Sequence, residues 1–422
     1  MVLLSRSENQ NKLKKYLKQI PDSFEKSFQI TGSKSESNRL LILQKLFHGI
    51  DIGNCSNSDD SNLMKAALSS DEKEVYIGHA GTAMRFLSSY FAVQNGRETI
   101  LTGSSRMKER PIGILVDALR SLGAEISYLG QEGYPPLLIK GKSIVGGVVK
   151  IDGSVSSQYI SSLLLIGAFM PEGLQVVFTS SPTSIPYINM TLHLLGQLGI
   201  EQSWLDQNNI RVASIKNKSI SRDFEVESDW SSASYHFSMC ALSRNSQIQL
   251  GSYKEDSLQG DSALVQIYKD FGVTSSFEQS HLILKKDFDF EVPDSVSYDL
   301  SKCPDIAQTI AVTCFGIGIA CDLYGLHTLK IKETDRLLAL KTELSKFGAD
   351  IEVTSDSLHL KKRKNIISNV EVETYQDHRM AMAFAPLCLK VPLTLLDADV
   401  VSNSYPEFWK DWDYYGETLD KA

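Results

Sequence analysis

Apolar and polar positions along this chain follow two periods. Segments such as SESNRLLILQKLF, with apolar residues three and four apart, read as helices that bury one face. Shorter β-branched or alternating runs read as strands: EVYIG, ETILTG, LLIKG, LQVVFTS, IRVASI, SQIQLGS, SHLILKK, LHTLKI and SLHLKK. One arrangement recurs, in which a helical segment ends in Leu-Gly or Phe-Gly and an apolar residue leads into a short strand. The copies are ALRSLGAEISYL, LHLLGQLGIEQSW, QIYKDFGVTSSF and LKTELSKFGADIEV. Their glycines, Gly123, Gly199, Gly272 and Gly348, lie 76, 73 and 76 residues apart. Glycine closes a helix there by taking the left-handed conformation, and the next apolar residue packs back on the last turn. A single joint of this kind is common in α/β proteins. Four at near-constant spacing predict duplication of a unit of about 70–80 residues, or of two half-size units.

The expectation is therefore repeated αβ units with mixed sheets. One long dinucleotide-binding sheet is excluded, because no G-x-G-x-x-G follows a strand. No phosphate-binding G-x-x-x-x-G-K-[ST] occurs either. Breaks between domains are expected near Ile30-Thr31-Gly32 and within the polar, serine-rich stretch from Ser221 to His236. A length of 422 residues suits two or three domains.

Composition narrows the classes further. Aspartate and glutamate number 51 against 43 lysine and arginine, a net charge of −8. No global positive field exists to hold nucleic acid, although a local anion site remains open. At 42% hydrophobic and 22% charged the chain reads as globular. Its most apolar tracts, YISSLLLIGAFM and IAVTCFGIGIAC, are shorter than a membrane span requires, so no membrane partner is expected. The amino terminus, MVLLSRSENQNKLKKYLKQI, has no leader pattern, and six scattered cysteines without CxxC pairs read as reduced cytoplasmic thiols.

Candidate chemistry gathers at helix starts. After FQIT come Gly32, Ser33, Lys34, Ser35 and, one turn on, Arg39. A helix start offers free N–H groups and a positive dipole end, so these side chains form a seat for phosphate or carboxylate. A capped surface helix with solvated charges is an equally good reading of that stretch alone. In GHAGTAMRF, small residues His79-Ala80-Gly81-Thr82 would admit a ligand close to the backbone, with Arg85 a turn later. Arg106, Lys108 and Arg110 crowd the loop before Pro111, either splayed into solvent or neutralised by a bound anion. Ser154, Ser156, Ser157 and Gln158 precede another apolar helix, where a plain cap would use only one of them. The second half adds Asp305 at a buried helix, Lys332, Glu333 and Arg336 at a strand-to-helix junction, and Asp377, His378 and Arg379. Lys332 and Arg336 share one helical face if the first turn has begun by Lys332. No HExxH, His cluster or DxDxDG loop points to a metal, and no G-x-S-x-G points to a serine hydrolase. The layout suits small, highly anionic substrates gripped between two lobes.

GSKSESNR, GTAMR, LTGSSRMKERPIG, DGSVSSQ, IKETDR and QDHRMAMA, in that order over nearly the whole chain, resemble the 5-enolpyruvylshikimate-3-phosphate (EPSP) synthase family. The resemblance implies an α/β (α+β) fold of two lobes, each of three βαβαββ units with mixed sheets and buried helices. One lobe would comprise residues 1–31 plus 230–422, the other residues 32–229. It implies a transferase of the shikimate pathway, serving chorismate and aromatic amino acid biosynthesis. The enolpyruvyl group of phosphoenolpyruvate passes to the 5-hydroxyl of shikimate 3-phosphate, with release of phosphate and no metal or organic cofactor. A cytoplasmic monomer is expected.

By motif, the resemblance assigns Lys34, Ser35, Arg39, Ser156, Ser157, Gln158, Ser184, Tyr187, Asp305, Thr328 and Lys332 to shikimate 3-phosphate. It assigns Lys34, Gly81, Arg106, Gln158, Arg336, Arg379 and the position of Asn403 to phosphoenolpyruvate. Asp305 would be the general base, and Glu333 the acid, together with Lys34. Five positions depart from the family pattern: His79 for asparagine, Phe86 for proline, Ile185 for lysine, Thr328 for asparagine and Asn403 for lysine. Phe86 bears on glyphosate sensitivity, and Asn403 is expected to weaken phosphoenolpyruvate binding. UDP-N-acetylglucosamine enolpyruvyl transferase shares the fold but uses a loop cysteine, and GSSRMKERP has none. A non-catalytic anion-binding homologue is the other alternative, opposed by Lys34, Asp305, Glu333 and Arg379.

Overall fold

A computed structural model of the chain describes residues 13–154, 156–216 and 219–416. Residues 1–12, part of the stretch read for a leader, lie outside the described residues.

Four four-stranded sheets share one topology. In the first, Glu74–Tyr76 pairs parallel with Glu98–Thr102, which pairs antiparallel with Leu137–Lys140, and Glu125–Tyr128 forms the far edge. The order repeats in Gly147–Ile151, Leu174–Phe178, Asn209–Val212 and Gln202–Asp206. It repeats again in Ser23–Phe28, Asn245–Gly251, His281–Lys286 and Val273–Glu278, and in Ser295–Asp299, Ala320–Tyr324, Leu358–Leu360 and Ile351–Val353. A parallel pair needs a crossover. Helices Gly81–Ala92, Ser157–Gly167, Trp230–Leu242 and Ala307–Ile317 lie on those crossovers.

A second helical segment then feeds each hairpin, and it ends at one of the four recurrent glycines. Their φ values are +100° at Gly123, +77° at Gly199, +73° at Gly272 and +95° at Gly348. The periodic glycines are thus the left-handed closures of equivalent joints. Two smaller sheets complete the repeat. His48–Gly53 pairs parallel with Ser219–Glu225, and Val370–Val372 with Leu393–Leu395, to which Lys15–Leu17 adds antiparallel.

One expected strand is a helix. LHTLKI folds as a 3₁₀ turn, His327–Ile331, closed by Leu329 N–H on Leu326 O at 2.9 Å. Its leucines are three apart and both are buried, whereas Ile331 is exposed. The period that counts there is three, which a run of six residues is too short to tell from a strand.

Buried apolar side chains form two clusters. One runs from Leu40 to Val226. The other joins Leu17, Phe28 and Ile30 to residues from Trp230 to Tyr415. The chain passes between them twice, and the two passes run side by side. Ser33 N–H donates to Glu227 O at 2.7 Å, Asp229 N–H to Thr31 O at 3.1 Å, and the Ser228 hydroxyl to Ile30 O at 2.7 Å. Gly32 bridges Ser228 between them. A Cβ on Gly32 would lie 1.8 Å from Asn54 O, so only glycine fits this crossing.

Glu36, beside the passes, is pushed up to about 7, first by burial; Lys254 and Arg39 oppose the shift and Glu227 adds to it. A carboxyl raised in the folded state binds its proton more tightly than the unfolded chain does. Its ionisation therefore lowers stability as pH rises from about 4.5 to about 7. Thermal melts across that window should show the wild type losing stability relative to Glu36→Gln; parallel curves would refute this. Gly123, with open space around its Cβ position, should lose about 1–2 kcal/mol on substitution by alanine from φ alone. Gly32→Ala should melt at a clearly lower temperature than Gly123→Ala.

Candidate functional site

Three cationic side chains surround Asp305. This residue sits in the 3₁₀ turn Pro304–Ile306 that opens the Ala307–Ile317 helix. Lys332 Nζ stands 3.4 Å and Arg336 Nη1 2.8 Å from its Oδ1, and Arg379 Nη2 3.4 Å from its Oδ2. Burial pushes the Asp305 carboxyl up, but Lys332, Arg379 and Arg336 outweigh burial and hold it well below the usual carboxylate range.

Arg336 begins the Arg336–Lys346 helix, which Asp335 caps by accepting from Leu338 N–H at 3.1 Å. Its guanidinium is almost wholly buried and meets three carboxylates. Besides Asp305, Nε donates to Asp377 Oδ2 at 2.7 Å and Nη2 to Glu333 Oε2 at 2.7 Å. Asp377 also caps the His378–Phe384 helix by accepting from Arg379 N–H at 2.9 Å. Arg379 reaches Asp305 O and the Ser231 hydroxyl, both at 3.1 Å. Ser231 in turn donates to Asp261, whose carboxyl burial pushes up to about 6 against the pull of Arg379.

Glu333 would be raised by burial, yet Arg336, Arg110 and Lys34 together hold it well below its ordinary value. The His378 ring is buried with neither nitrogen hydrogen-bonded. Burial first, and Lys34 next, keep it neutral.

The facing wall is built from helix starts. Ser33 caps the Lys34–Leu46 helix through Glu36 N–H at 3.4 Å. Lys34 Nζ lies 3.5 Å from Asp60 Oδ2. Arg39 donates to Thr191 Oγ1 at 2.7 Å, Ser35 O at 2.6 Å, Ser161 Oγ at 2.9 Å and Tyr187 O at 3.1 Å. Four of its five donors (the number a guanidinium carries) are therefore engaged within the protein. Its Cζ lies 5.4 Å from the Phe86 ring centroid, so the phenylalanine is a floor under this arginine. Ser156 caps the Ser157–Gly167 helix through Gln158 N–H at 3.3 Å, and Gln158 Nε2 donates to Thr82 Oγ1 at 3.2 Å. Ser184, at φ +52°, starts the Ile185–Gln197 helix without capping it, leaving its hydroxyl available to a ligand.

Between the walls lies an open cleft. Ser35, Arg39, Ser156, Ser157, Gln158, Ser184 and Tyr187 line one side, and Asp305, Thr328 and Lys332 the other. The sequence thus brought ten of its candidates to one space. Glu333, Arg336 and Arg379 stand in the charge network beneath Asp305. Lys34, from the facing wall, acts on Glu333 and His378 electrostatically.

Three candidates sit differently. Arg106 is half exposed; its Nε donates to Glu333 O at 3.2 Å across the cleft, and Nη1 pairs with Glu109 at 2.9 Å. Gly81 is covered by the Arg110 guanidinium, and an added Cβ would lie 2.6 Å from Nη1. Asn403 ends the 3₁₀ turn Ala398–Asn403 and is buried outside the cleft lining. Next to it, Ser402 Oγ donates to Asp59 Oδ2 at 2.6 Å, and nearby Asn57 Nδ2 donates to Glu407 Oε1 at 2.6 Å. The turn therefore ties the two halves together.

The first turn has not begun at Lys332. This lysine lies in extended backbone before Asp335, and it shares Asp305 with Arg336 through that bend rather than through a common helical face. Sequence reasoning passed over Asp60, Ser231 and Asp261. An acid at a helix start has an ordinary role there, so nothing local marked Asp60 as a partner for Lys34. The thiols Cys240, Cys303, Cys314, Cys321 and Cys388 are buried and unbridged, as is the half-buried Cys55 unbridged. Among the described residues, no group of three His, Cys, Asp or Glu could hold a metal ion, and no helix is long and apolar enough to cross a membrane.

The cleft sets cationic side chains from both walls around ionised carboxylates, a setting for small anions. The family model of EPSP synthase (3-phosphoshikimate 1-carboxyvinyltransferase) matches residues 66–412. The 3-phosphoshikimate 1-carboxyvinyltransferase of Bacteroides fragilis (strain ATCC 25285) is 41% identical over 401 residues, covering 94% of this chain and 97% of that protein. Its counterpart in Erwinia tasmaniensis is 34% identical over 409 residues, covering 90% and 94%. Two solved structures of EPSP synthase from Acinetobacter baumannii have the same fold. Their TM-scores are 0.72 and 0.75, at 21% and 20% identity, covering 95% and 97% of this chain and 98% and 100% of those chains.

Asp377→Ala should test the charge network. It leaves the buried Arg336 one carboxylate short and uncaps a helix, and breaking a buried pair costs about 3–5 kcal/mol. Urea denaturation should show that loss, and an unchanged midpoint would refute it.

Proposed function

The chain belongs to the EPSP synthase family, whose members transfer the enolpyruvyl group of phosphoenolpyruvate to shikimate 3-phosphate, and on that premise we propose how its cleft performs the reaction. The observation that carries the assignment is Asp305: an ionised carboxylate ringed by Lys332, Arg336 and Arg379, facing the hydroxyls of Ser156 and Ser157 across the cleft.

Shikimate 3-phosphate lies against Ser35, Arg39, Ser156, Ser157, Gln158, Ser184 and Tyr187, with Thr328 and Lys332 closing over it. Thr328 supports this reading, because its hydroxyl is buried in the cleft wall without a partner. Phosphoenolpyruvate lies towards Lys34, Gly81, Arg106, Gln158, Arg336 and Arg379. Asp305 accepts the proton of the 5-hydroxyl as that oxygen bonds to C2 of phosphoenolpyruvate. Glu333, with Lys34, delivers a proton to the methylene carbon. The tetrahedral adduct then loses a proton from the new methyl group and expels phosphate, whose charge the arginines and lysines stabilise.

At rest both carboxyls are held low, which suits neither a base nor an acid. Binding two anionic substrates neutralises the surrounding cations and raises both, so Asp305 gains basicity and Glu333 can carry a proton. Substrate charge thereby switches the catalytic groups on. The unpaired cysteines favour a reducing cytoplasm, and the family default is a monomer.

Phosphate release from purified protein tests the reading. It should require phosphoenolpyruvate plus shikimate 3-phosphate and not occur with UDP-N-acetylglucosamine in its place. Release only with the latter, or silence with both from folded protein, would overturn it. With asparagine at position 403, the Michaelis constant for phosphoenolpyruvate should be high. A low-micromolar constant in the wild type would sink that expectation.

A further inference from the structure

Residues 54–60 run from the double passage to the start of the Asp59–Ser69 helix. At one end Asn54 Nδ2 donates to Val226 O at 2.9 Å, and at the other Ser58 caps the helix through Ser61 N–H at 3.3 Å. Two bonds fasten this segment to the Lys34–Leu46 helix. Ser56 N–H donates to Ser37 Oγ at 2.8 Å, and the Ser61 hydroxyl to Asn38 Oδ1 at 2.9 Å. The two helix starts are thus tied into one piece. Asp59 and Asp60 open the second helix and have different partners. Asp60 Oδ2 lies 3.5 Å from Lys34 Nζ, whereas Asp59 Oδ2 accepts from the Ser402 hydroxyl of the opposite half at 2.6 Å.

The Ser402 side is anchored as well. Val401 and Tyr405 are buried in their own half, and Tyr405 N–H donates to Val401 O at 2.8 Å. The Tyr405 hydroxyl donates to Asp411 Oδ2 at 2.6 Å. A second bond, from Asn57 Nδ2 to Glu407 Oε1 at 2.6 Å, joins the same two segments. With asparagine at 403, that position brings no cation to draw the halves together around an anion. A single bond therefore links the piece that carries Lys34 to the turn that carries Asn403. An acid at a helix start also has an ordinary role with the helix dipole, but that role gives Ser402 no part.

We propose that the Asp59–Ser402 hydrogen bond is a closing contact of the two halves around phosphoenolpyruvate, with Asp59 and Ser402 as positioning residues for that substrate. Neither lines the cleft; they set the distance between Lys34 and the turn at Asn403. This rests on the reading of the cleft given under Proposed function. Losing the bond lowers the population of the closed state, which shows as a weaker apparent affinity. Saturating substrate restores closure by mass action.

Steady-state kinetics on Ser402→Ala, Ser402→Thr, Asp59→Ala and the double variant combining both alanines tests this. In each single alanine variant, at saturating shikimate 3-phosphate, the Michaelis constant for phosphoenolpyruvate should rise about fivefold or more, with kcat within about twofold. The double variant should match the more affected single, because both remove the same bond. Ser402→Thr keeps the hydroxyl and should stay within about twofold of the wild type.

An unchanged constant in Ser402→Ala overturns the proposal. Additive effects do so too, since Asp59 would then serve only its own helix. A fall in kcat with an unchanged constant also overturns it, because the bond would then act on the chemistry rather than on closure. If Asp59→Ala does not fold, Ser402→Ala with Ser402→Thr decides, as neither alters the start of the Asp59–Ser69 helix. A wild type without activity would instead overturn the reading of the cleft.

Discussion

Arg336 is a buried guanidinium that cannot shed its charge, and three carboxylates from separate segments converge on it. Asp305 comes from a 3₁₀ turn, Glu333 from the bend before the arginine, and Asp377 from the cap of another helix. Burying such a charge is tolerable only if every partner is in place, so the ion cluster dictates where these segments sit. Asp305 and Glu333 are thereby held a fixed distance apart, on either side of one planar cation. The carboxylates proposed to move protons also neutralise Arg336. On that proposal, stability and chemistry use the same contacts.

The second constraint is the double passage between the two apolar cores. Because the passes bond to each other at Ser33, Glu227, Thr31 and Asp229, the halves are hinged along one line. Gly32 is required there by the approach of Asn54 O. Away from the hinge, Arg106, Asn57 and Ser402 reach across the gap to bond with the opposite half. A cleft between two bodies can bring cations from one wall and carboxylates from the other to the same ligand. A single core could not expose so many buried charges to a substrate without leaving them unpaired.

Much of this was legible in the chain. The four glycines announced the repeat because left-handed closure is a property of one residue and its neighbours, and it needs no tertiary partner. Ser33 and Ser156 were recognisable as helix starts for the same reason. LHTLKI was not, since so short a run fits a strand and a tight helix equally, and burial of Leu326 and Leu329 decided between them. Arg39 shows the limit in another way. Its place one turn past a helix start was readable, but not the four internal bonds that tie it into the protein.

The order of motifs, the repeating unit and the residue types at each helix start were determined by the sequence alone, through preferences that act within a turn or two. Tertiary structure decided which start faces which carboxylate, that Lys34 meets Asp60, and that Arg110 lies on Gly81. It also decided the charge state of Asp305 and Glu333. Burial and Coulomb forces depend on distance in space, and they join residues here that stand tens to hundreds of positions apart, which no local pattern encodes.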